Sequence, residues 1–464
     1  MNIKNTFPLV ALGVSIPLQA SCQPKPVHPN VIFILADDLG LMQNSAYGSD
    51  YYNTPNMDKL AGEGIRFTNA YAAAAISSPT RASIMTGKCP ARLHITDFIP
   101  GSNNSDSPLK QPDWQMFLPL EETTVAEIFK EKGYRTAMFG KWHLSREKFG
   151  PESLPHYPDK QGFDDYFVID KPGKNNDPES DPHKSDSIGN TSVRFIRENA
   201  TRPFFLFASF SAIHNPLMDS AESIAYWKNM PGSDKPENNP VIAAMLSRMD
   251  RNIGKILEAL DELDLAKNTM VIFYSDNGGL EREALQTPLR KGKGWLYEGG
   301  IRVPLIIRWP GVIEKEQICE ELVSSYDFLP TFCDLVEMDQ PENIDGISLL
   351  PLLREGTPLP ERNLYWHYPH YHSVGMTPGG AIRSGRWKLI EYFEKSLTGQ
   401  MDKAYELYDL DNDPGETDNL LGGRQAVVLD MAAKLRNWRK QTGAQMPVNC
   451  MINLQQANSK EFVK

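Results

Sequence analysis

The chain has 464 residues, of which 41% are hydrophobic and 23% charged, and its formal net charge is −11. That length suits one large domain and a smaller one, and the composition excludes disordered and collagen-like classes. A whole-surface nucleic-acid binder is usually basic, so the acidic balance argues against a nucleic-acid partner; an anionic ligand would need a local cluster of Lys, Arg and His.

Residues 1–22 predict an export signal. Lys4 supplies positive charge, an apolar run covers 7–18, and Gln19-Ala20-Ser21-Cys22 follows. The run is too short to span a bilayer comfortably. The small residues before Cys22 match a bacterial lipoprotein cleavage site. We therefore expect an exported protein, in the periplasm or at the cell surface, with a lipid anchor on Cys22, beside the alternative of ordinary signal cleavage nearby with no lipid. No later apolar stretch reaches transmembrane length. Cys89, Cys319, Cys333 and Cys450 are widely spaced, match no zinc motif and read as structural.

Short apolar runs at 31–36, 136–139, 204–209, 270–275 and 304–309 have the length of buried strands. Amphipathic helical patterns cover 124–132 and 239–263. This alternation predicts a large, mostly parallel sheet sandwiched by helices, with the ligand site at the carboxyl ends of the strands. Residues 151–190 are polar and rich in Pro and Asp, and are expected as loop. Beyond about 355 the texture changes. Strands are predicted at 381–386, 387–393 and 404–410 and a helix at 427–440, a small antiparallel sheet plus helix. The expected division is 1–22 signal, 28–355 catalytic domain, 356–445 C-terminal subdomain and 446–464 tail.

The chemistry-bearing residues fall at the predicted strand ends. Asp37-Asp38 follows the first strand. Two adjacent carboxylates there call for a positive partner, and a hard divalent cation prefers oxygen ligands. Asp276-Asn277 ends a later strand and offers a carboxylate and an amide oxygen; each pair alone is also compatible with a plain turn. Lys141 and His143 follow the strand that ends at Phe139, a pair suited to an anion and a proton. His214, in His214-Asn215-Pro216, follows the run at 204–209.

Ser77-Ser78-Pro79-Thr80-Arg81 resembles the Cys/Ser-x-Pro-x-Arg signature of the type I sulfatases, and Thr86-Gly87-Lys88, Pro90 and Arg92 continue the pattern. Thr80 departs mildly from the Ser or Ala common there. Gly140-Lys141-Trp142-His143-Leu144, His214-x-Pro216, the segment from Arg290 to Gly294 and Glu298-Gly299-Gly300 resemble further signatures of that family, in family order. Lys291 replaces a usual Gly, and Lys293 is the position that matches the sulfate-binding lysine. Trp387-Lys388-Leu389 and Glu406-Leu407-Tyr408-Asp409 resemble the family's closing hairpin.

The resemblance implies the alkaline-phosphatase-like α/β fold and a sulfuric ester hydrolase. It implies one calcium ion held by Asp37, Asp38, Asp276, Asn277 and the group at position 77. Ser77 would be oxidised by a maturase, before export, to formylglycine (3-oxoalanine). Its hydrate would attack sulfur, a covalent route. Arg81 would hold that group, and Lys141 and Lys293 would meet the sulfate oxygens. His214 is the expected acid for the leaving oxygen and His143 the base that regenerates the aldehyde.

The run Tyr365-Trp366-His367-Tyr368-Pro369-His370-Tyr371-His372 offers aromatic faces and imidazoles to a sugar. His367 and His370 are the candidate substrate residues, beside the plain alternative of a packed strand. The run resembles loops of sulfatases acting on galactose-type sugars, so the expected substrate is a sulfated carbohydrate, desulfated in exo fashion at galactose or N-acetylgalactosamine 4-O-sulfate. Two rivals stand beside this: a phosphate or phosphonate ester hydrolase of the same superfamily, and a sulfated-glycan-binding protein without catalysis.

Overall fold

The structure, a computed structural model, describes residues 28–101, 107–145, 155–169 and 176–450. The expected signal at 1–22, with Cys22, lies outside the described residues, as does the chain beyond 450.

An eight-stranded sheet forms the centre. Its order is Gln317–Cys319, Ile65–Phe67, Leu305–Arg308, Thr269–Ser275, Asn30–Ala36, Phe204–Ser209, Arg135–Lys141 and Asp165–Ile169. Neighbours run parallel except at Leu305–Arg308, which is antiparallel to both strands beside it. The central strand Asn30–Ala36 is buried throughout. Val31, Phe33 and Leu35 enter one apolar core, and Ile32, Ile34 and Ala36 enter the other. Alternate residues of a strand face opposite sides, so a strand covered on both faces reads as an unbroken apolar run. That is why the sequence exposes these strands clearly.

Helix Pro240–Glu262 packs one face of this layer with Ile242, Met245, Leu246, Met249, Ile253, Ile256, Leu257 and Leu260. Asn239 caps it by accepting from the Val241 and Ile242 amides. On the other face Val125–Glu131 carries a capping box between Thr124 and Glu127. Helix Phe328–Leu335 adds Phe328, whose ring meets Phe33 edge-on at 4.8 Å.

The smaller unit is an antiparallel sheet, Asn363–Tyr368, Gly379–Ser384, Trp387–Tyr392 and Tyr405–Asp409. Helix Gln425–Thr442 covers it through Val428, Met431, Ala432 and Leu435. The expected sheet-plus-helix subdomain is therefore present, with one more strand than the pattern predicts. The expected loop at 151–190 needs correction. It holds the edge strand Asp165–Ile169 and the first turns of helix Ser185–Glu198. Tyr166, Phe167, Val168 and Ile169 give this edge strand an apolar run, but it is short, only partly buried and set among Pro- and Asp-rich sequence, which hid it. Val448–Asn449 pairs with Leu109–Lys110, which ties part of the expected tail to the body. Cys89, Cys319, Cys333 and Cys450 are all free thiols. No helix among the described residues is long and apolar enough to cross a membrane.

Candidate active site

Three strands of the central sheet deliver their carboxyl ends to one place. Asp37 and Asp38 follow Ala36, Asp276 and Asn277 follow Ser275, and Lys141 ends its own strand. The ends are laced together: the Asp276 amide donates to the Ala36 carbonyl at 3.2 Å and the Asp37 amide to the Ala212 carbonyl at 3.0 Å. Asp38 and His143 adopt positive φ angles of 64° and 59°. Residues other than glycine take that conformation at a cost, and such costs collect at functional sites. Gly140, at φ 117°, lies so close to the neighbouring strand that a Cβ would stand 1.9 Å from the Ser209 carbonyl oxygen. Only glycine lets Lys141 approach its neighbours this way.

Ser77 opens the fully buried helix Ser77–Thr86. It therefore sits at the positive end of the helix dipole, where negative charge is favoured. Its hydroxyl lies 3.1 Å from Asp37 Oδ1 and 3.3 Å from Asn277 Oδ1, and Lys141 Nζ stands 3.3 Å from the Ser77 oxygen. One turn later Arg81 donates to Asp276 at 2.8 Å, to the Lys141 carbonyl at 2.9 Å and to Ser209 Oγ at 2.7 Å. Arg81 thus fastens the helix start to three strand ends. Ser209, which also donates to the Lys141 carbonyl at 2.7 Å, is a site residue that sequence reasoning missed. As the last residue of an apolar strand it gives no separate signal.

Oxygens of Asp37, Asp38 and Asp276 lie within 4.8 Å of one another, and all three residues are fully buried. With Asn277 Oδ1 and Ser77 Oγ beside them the donor set is entirely oxygen, which fits a hard divalent cation. Lys141 Nζ reaches both Asp37 oxygens at 2.8 and 2.7 Å, and Lys293 Nζ lies 2.7 Å from Asp38. Burial works against ionisation of both aspartates, but Lys141 beside Asp37 and Lys293 beside Asp38 hold their pKa values below the ordinary one. Burial pulls Lys141 down; Lys293 is held up against burial by Asp38. Of the two loop lysines Lys293 is the one that reaches the site. Lys291 turns away to Glu281 at 3.1 Å and lies over the Trp295 ring.

The two histidines differ. His143 Nε2 is 2.8 Å from the Ile99 carbonyl, an acceptor, so this nitrogen carries the hydrogen. Nδ1 is left as a buried acceptor with no hydrogen-bond partner among the described residues. Burial and Lys141 push this imidazole well below its ordinary pKa. His214 donates from Nδ1 to the Asn215 carbonyl at 2.6 Å, which leaves Nε2 3.9 Å from Asp38. Its pKa is lowered, by burial and then by Lys293, with Asp38 opposing.

His367 and His370 do not join this cluster. His367 Nε2 bonds the Gln445 carbonyl at 2.8 Å. His370 uses both nitrogens, on Thr96 at 2.8 Å and on Gln111 at 2.8 Å. Both rings are buried, and burial lowers each to about 3. They fasten the small sheet to the loops around it, the role of the packed-strand alternative.

Fold and site together define an alkaline-phosphatase-like hydrolase with a buried serine at a helix start and acids at the strand ends. The family model described as Sulfatase matches residues 29–338. A second, described as the C-terminal part of N-sulphoglucosamine sulphohydrolase, matches 291–441. A sulfatase of Formosa agariphila is 32% identical, covering 94% of this chain and 93% of that protein. An N-acetylgalactosamine-6-O-sulfatase of Bacteroides thetaiotaomicron is 28% identical over 94% of this chain and 99% of its own length. Among solved structures, Ps i-CgsB in complex with k-i-k-neocarrahexaose superposes with a TM-score of 0.73 at 27% identity, covering 89% of this chain and 93% of that one. A phosphonate monoester hydrolase of Agrobacterium radiobacter shares the fold, with a TM-score of 0.68 at 21% identity over 91% of this chain and 97% of that one. The chain belongs to the sulfatase family. It is a sulfuric ester hydrolase, as the resemblance of its motifs implies.

Proposed function

We propose that this sulfatase removes sulfate from carbohydrates, working from the non-reducing end on galactose or N-acetylgalactosamine 4-O-sulfate, with one calcium ion and a formylglycine at position 77. The observation that carries the chemistry is the meeting of Ser77 Oγ, three buried aspartates and two lysines at the start of one helix. The sugar assignment draws on the glycan sulfatases among the relatives and on the aromatic and His-rich run 365–372.

Calcium would be held by Asp37, Asp38, Asp276, Asn277 and the oxygen at position 77, and there it would polarise sulfate oxygens. Formylglycine would supply a hydrated aldehyde as nucleophile. This chain's own residues do the rest. The aspartates and the cations Arg81, Lys141 and Lys293 balance three against three, so Lys141 and Lys293 would be free to clamp the sulfate once the aspartates shared a divalent ion. The helix dipole favours the charge that develops at position 77. His143 Nδ1 is the acceptor that takes a proton from position 77. His214 has its ring hydrogen on Nδ1, so Nε2 must first take up a proton, a form that Asp38 at 3.9 Å favours, before it hands that proton to the leaving sugar oxygen.

The export signal and Cys22 support a lipid-anchored enzyme in the periplasm or at the cell surface, with Ser77 matured before export. Replacing Cys22 by Ala should release the protein from membranes; unchanged membrane retention would rule the anchor out. The reaction is tested by comparing the sulfate and phosphate esters of one galactoside. Release of sulfate at least a hundredfold faster is expected. Faster phosphate release would favour the phosphoesterase reading, and binding without turnover would favour the glycan-binding one.

A further inference from the structure

His372 is the member of the His-rich run that reaches the active site. It lies in the connection between strands Asn363–Tyr368 and Gly379–Ser384, where its amide donates to the Met376 carbonyl at 2.9 Å and its carbonyl accepts from Gly375 at 2.9 Å. Arg282 donates to the next carbonyl, of Ser373, at 2.7 Å and so holds the turn against the segment after Asp276-Asn277. The imidazole then lies on Gly294, the residue after Lys293. A Cβ at Gly294 would stand 2.8 Å from His372 Nδ1 and 2.8 Å from Val374 Cγ2, and Gly294 has φ +84°. The close approach therefore requires glycine.

The other side of the ring meets Phe98 edge-on, with centroids 5.9 Å apart. Phe98 precedes Ile99, whose carbonyl receives the His143 hydrogen. The ring is thus placed between the segment that carries Lys293 and the one that orients His143. Lys293 and Asp38 are among the charges that act on it.

Its tautomer follows from its contacts. Nδ1 accepts from the Val374 amide at 3.2 Å, so the ring hydrogen is on Nε2. Nε2 has no hydrogen-bond partner among the described residues, and the residue is half-buried rather than sealed. Burial lowers the ring to about 4, which keeps it neutral at working pH. A neutral, rigidly held imidazole offers a single N–H, a donor suited to a hydroxyl or ring oxygen. His370 has both nitrogens engaged, and the nitrogen that His367 leaves over, Nδ1, is buried.

We propose that His372 is a specificity-determining residue of the sugar site, its Nε2–H donating to an oxygen of the sugar beside the sulfated carbon. This rests on the carbohydrate reading above and names the residue that enforces it. A site built to bond a substrate oxygen discriminates strongly against substrates lacking it, because its own donor is then left unmatched.

The test uses full-length protein from its own host, with His372→Ala and His372→Gln, assayed on galactose 4-sulfate and on 4-nitrophenyl sulfate. On the sugar, His372→Ala should lower kcat/KM about tenfold or more, mainly through KM, the loss of one hydrogen bond. On the aryl ester, which has no sugar oxygen, the change should stay within about twofold. His372→Gln keeps an N–H donor and should recover part of the sugar activity; it also serves if the alanine variant does not fold. An equal loss on both substrates, or none on the sugar, overturns the assignment of His372 and leaves the sugar reading standing. A wild-type enzyme that hydrolyses the aryl ester and no sulfated sugar overturns both.

Discussion

Two buried charge clusters lie on either side of the loop that carries Lys293, and they are finished differently. At the strand ends, Asp37, Asp38 and Asp276 face Arg81, Lys141 and Lys293, and the two lysine side chains keep 12% and 15% of their surface open. At the junction with the small subdomain, Lys388 lies 3.0 Å from Glu298 and 2.8 Å from Glu416, and all three side chains are completely buried. There Tyr71 donates to Glu298 at 2.7 Å, and the Glu298 amide donates to Glu416 at 2.6 Å. The second cluster is closed and satisfied by the chain itself. In the first, three acids crowd together and the cations can be drawn off by a ligand. Charge that can be re-partnered is what a site for an anionic ester needs; charge that cannot is what holds two units in register.

The contrast can be broken most sharply at Ser77. Ser77→Ala should lower sulfate release by at least about a thousandfold, because no nucleophile remains. Its thermal unfolding should match the wild type, since the helix start is otherwise unchanged. An unfolding transition displaced as far as the activity would show that the strand-end cluster is structural after all.

The junction should respond the opposite way. Lys388→Met leaves Glu298 and Glu416 buried without their shared cation, a loss of about 3–5 kcal/mol by denaturant unfolding. The protein that does fold should keep its KM for substrate. Weakened substrate binding in folded Lys388→Met would mean that the two clusters are not separate.

Metal addition sharpens the same difference. Calcium at a hundredfold excess over its dissociation constant should add about 3 kcal/mol to wild-type stability, by binding the folded chain alone. Asp38→Asn should abolish most of that gain, and Glu298→Gln should leave it intact. Equal gains in all three proteins would place the ion elsewhere.

The smallest effect is in pH. Burial pushes the Glu416 carboxyl up to about 7, while Glu298, beside Lys388 and Arg302, is held below its ordinary value against burial. The folded chain thus binds the Glu416 proton more tightly than the unfolded chain does. The stability this contributes is complete below the ordinary carboxylate range and is lost as pH rises through about 7. Glu416→Gln should flatten the melting temperature across that window. An unchanged slope would assign the pH dependence to other groups.

Much of this was legible in the sequence, for a physical reason. Strands buried on both faces are continuous apolar runs, and the residues just beyond them, Asp37-Asp38, Lys141 and Asp276-Asn277, announce the site by being polar where the run stops. Ser77 and Arg81 were legible only through their resemblance to a signature, since a serine at a helix start has no periodic pattern. The edge strand Asp165–Ile169 escaped because its apolar run is short, only partly buried and set among Pro- and Asp-rich sequence. His367, His370 and His372 could not be ranked from the chain alone. All three stand among aromatic residues, and what separates them is a turn that packs one ring on Gly294 and buries the other two. The Lys388 cluster was equally hidden, because Glu298, Lys388 and Glu416 are far apart in sequence and meet only when the subdomain docks.

The central claim is that Ser77, matured to an aldehyde, attacks the sulfate ester. The most direct test is mass spectrometry of the peptide spanning Ser77, from protein produced in its own host. A loss of about two hydrogens relative to serine is expected, the mark of formylglycine. An unmodified serine in enzyme that still releases sulfate would contradict the mechanism.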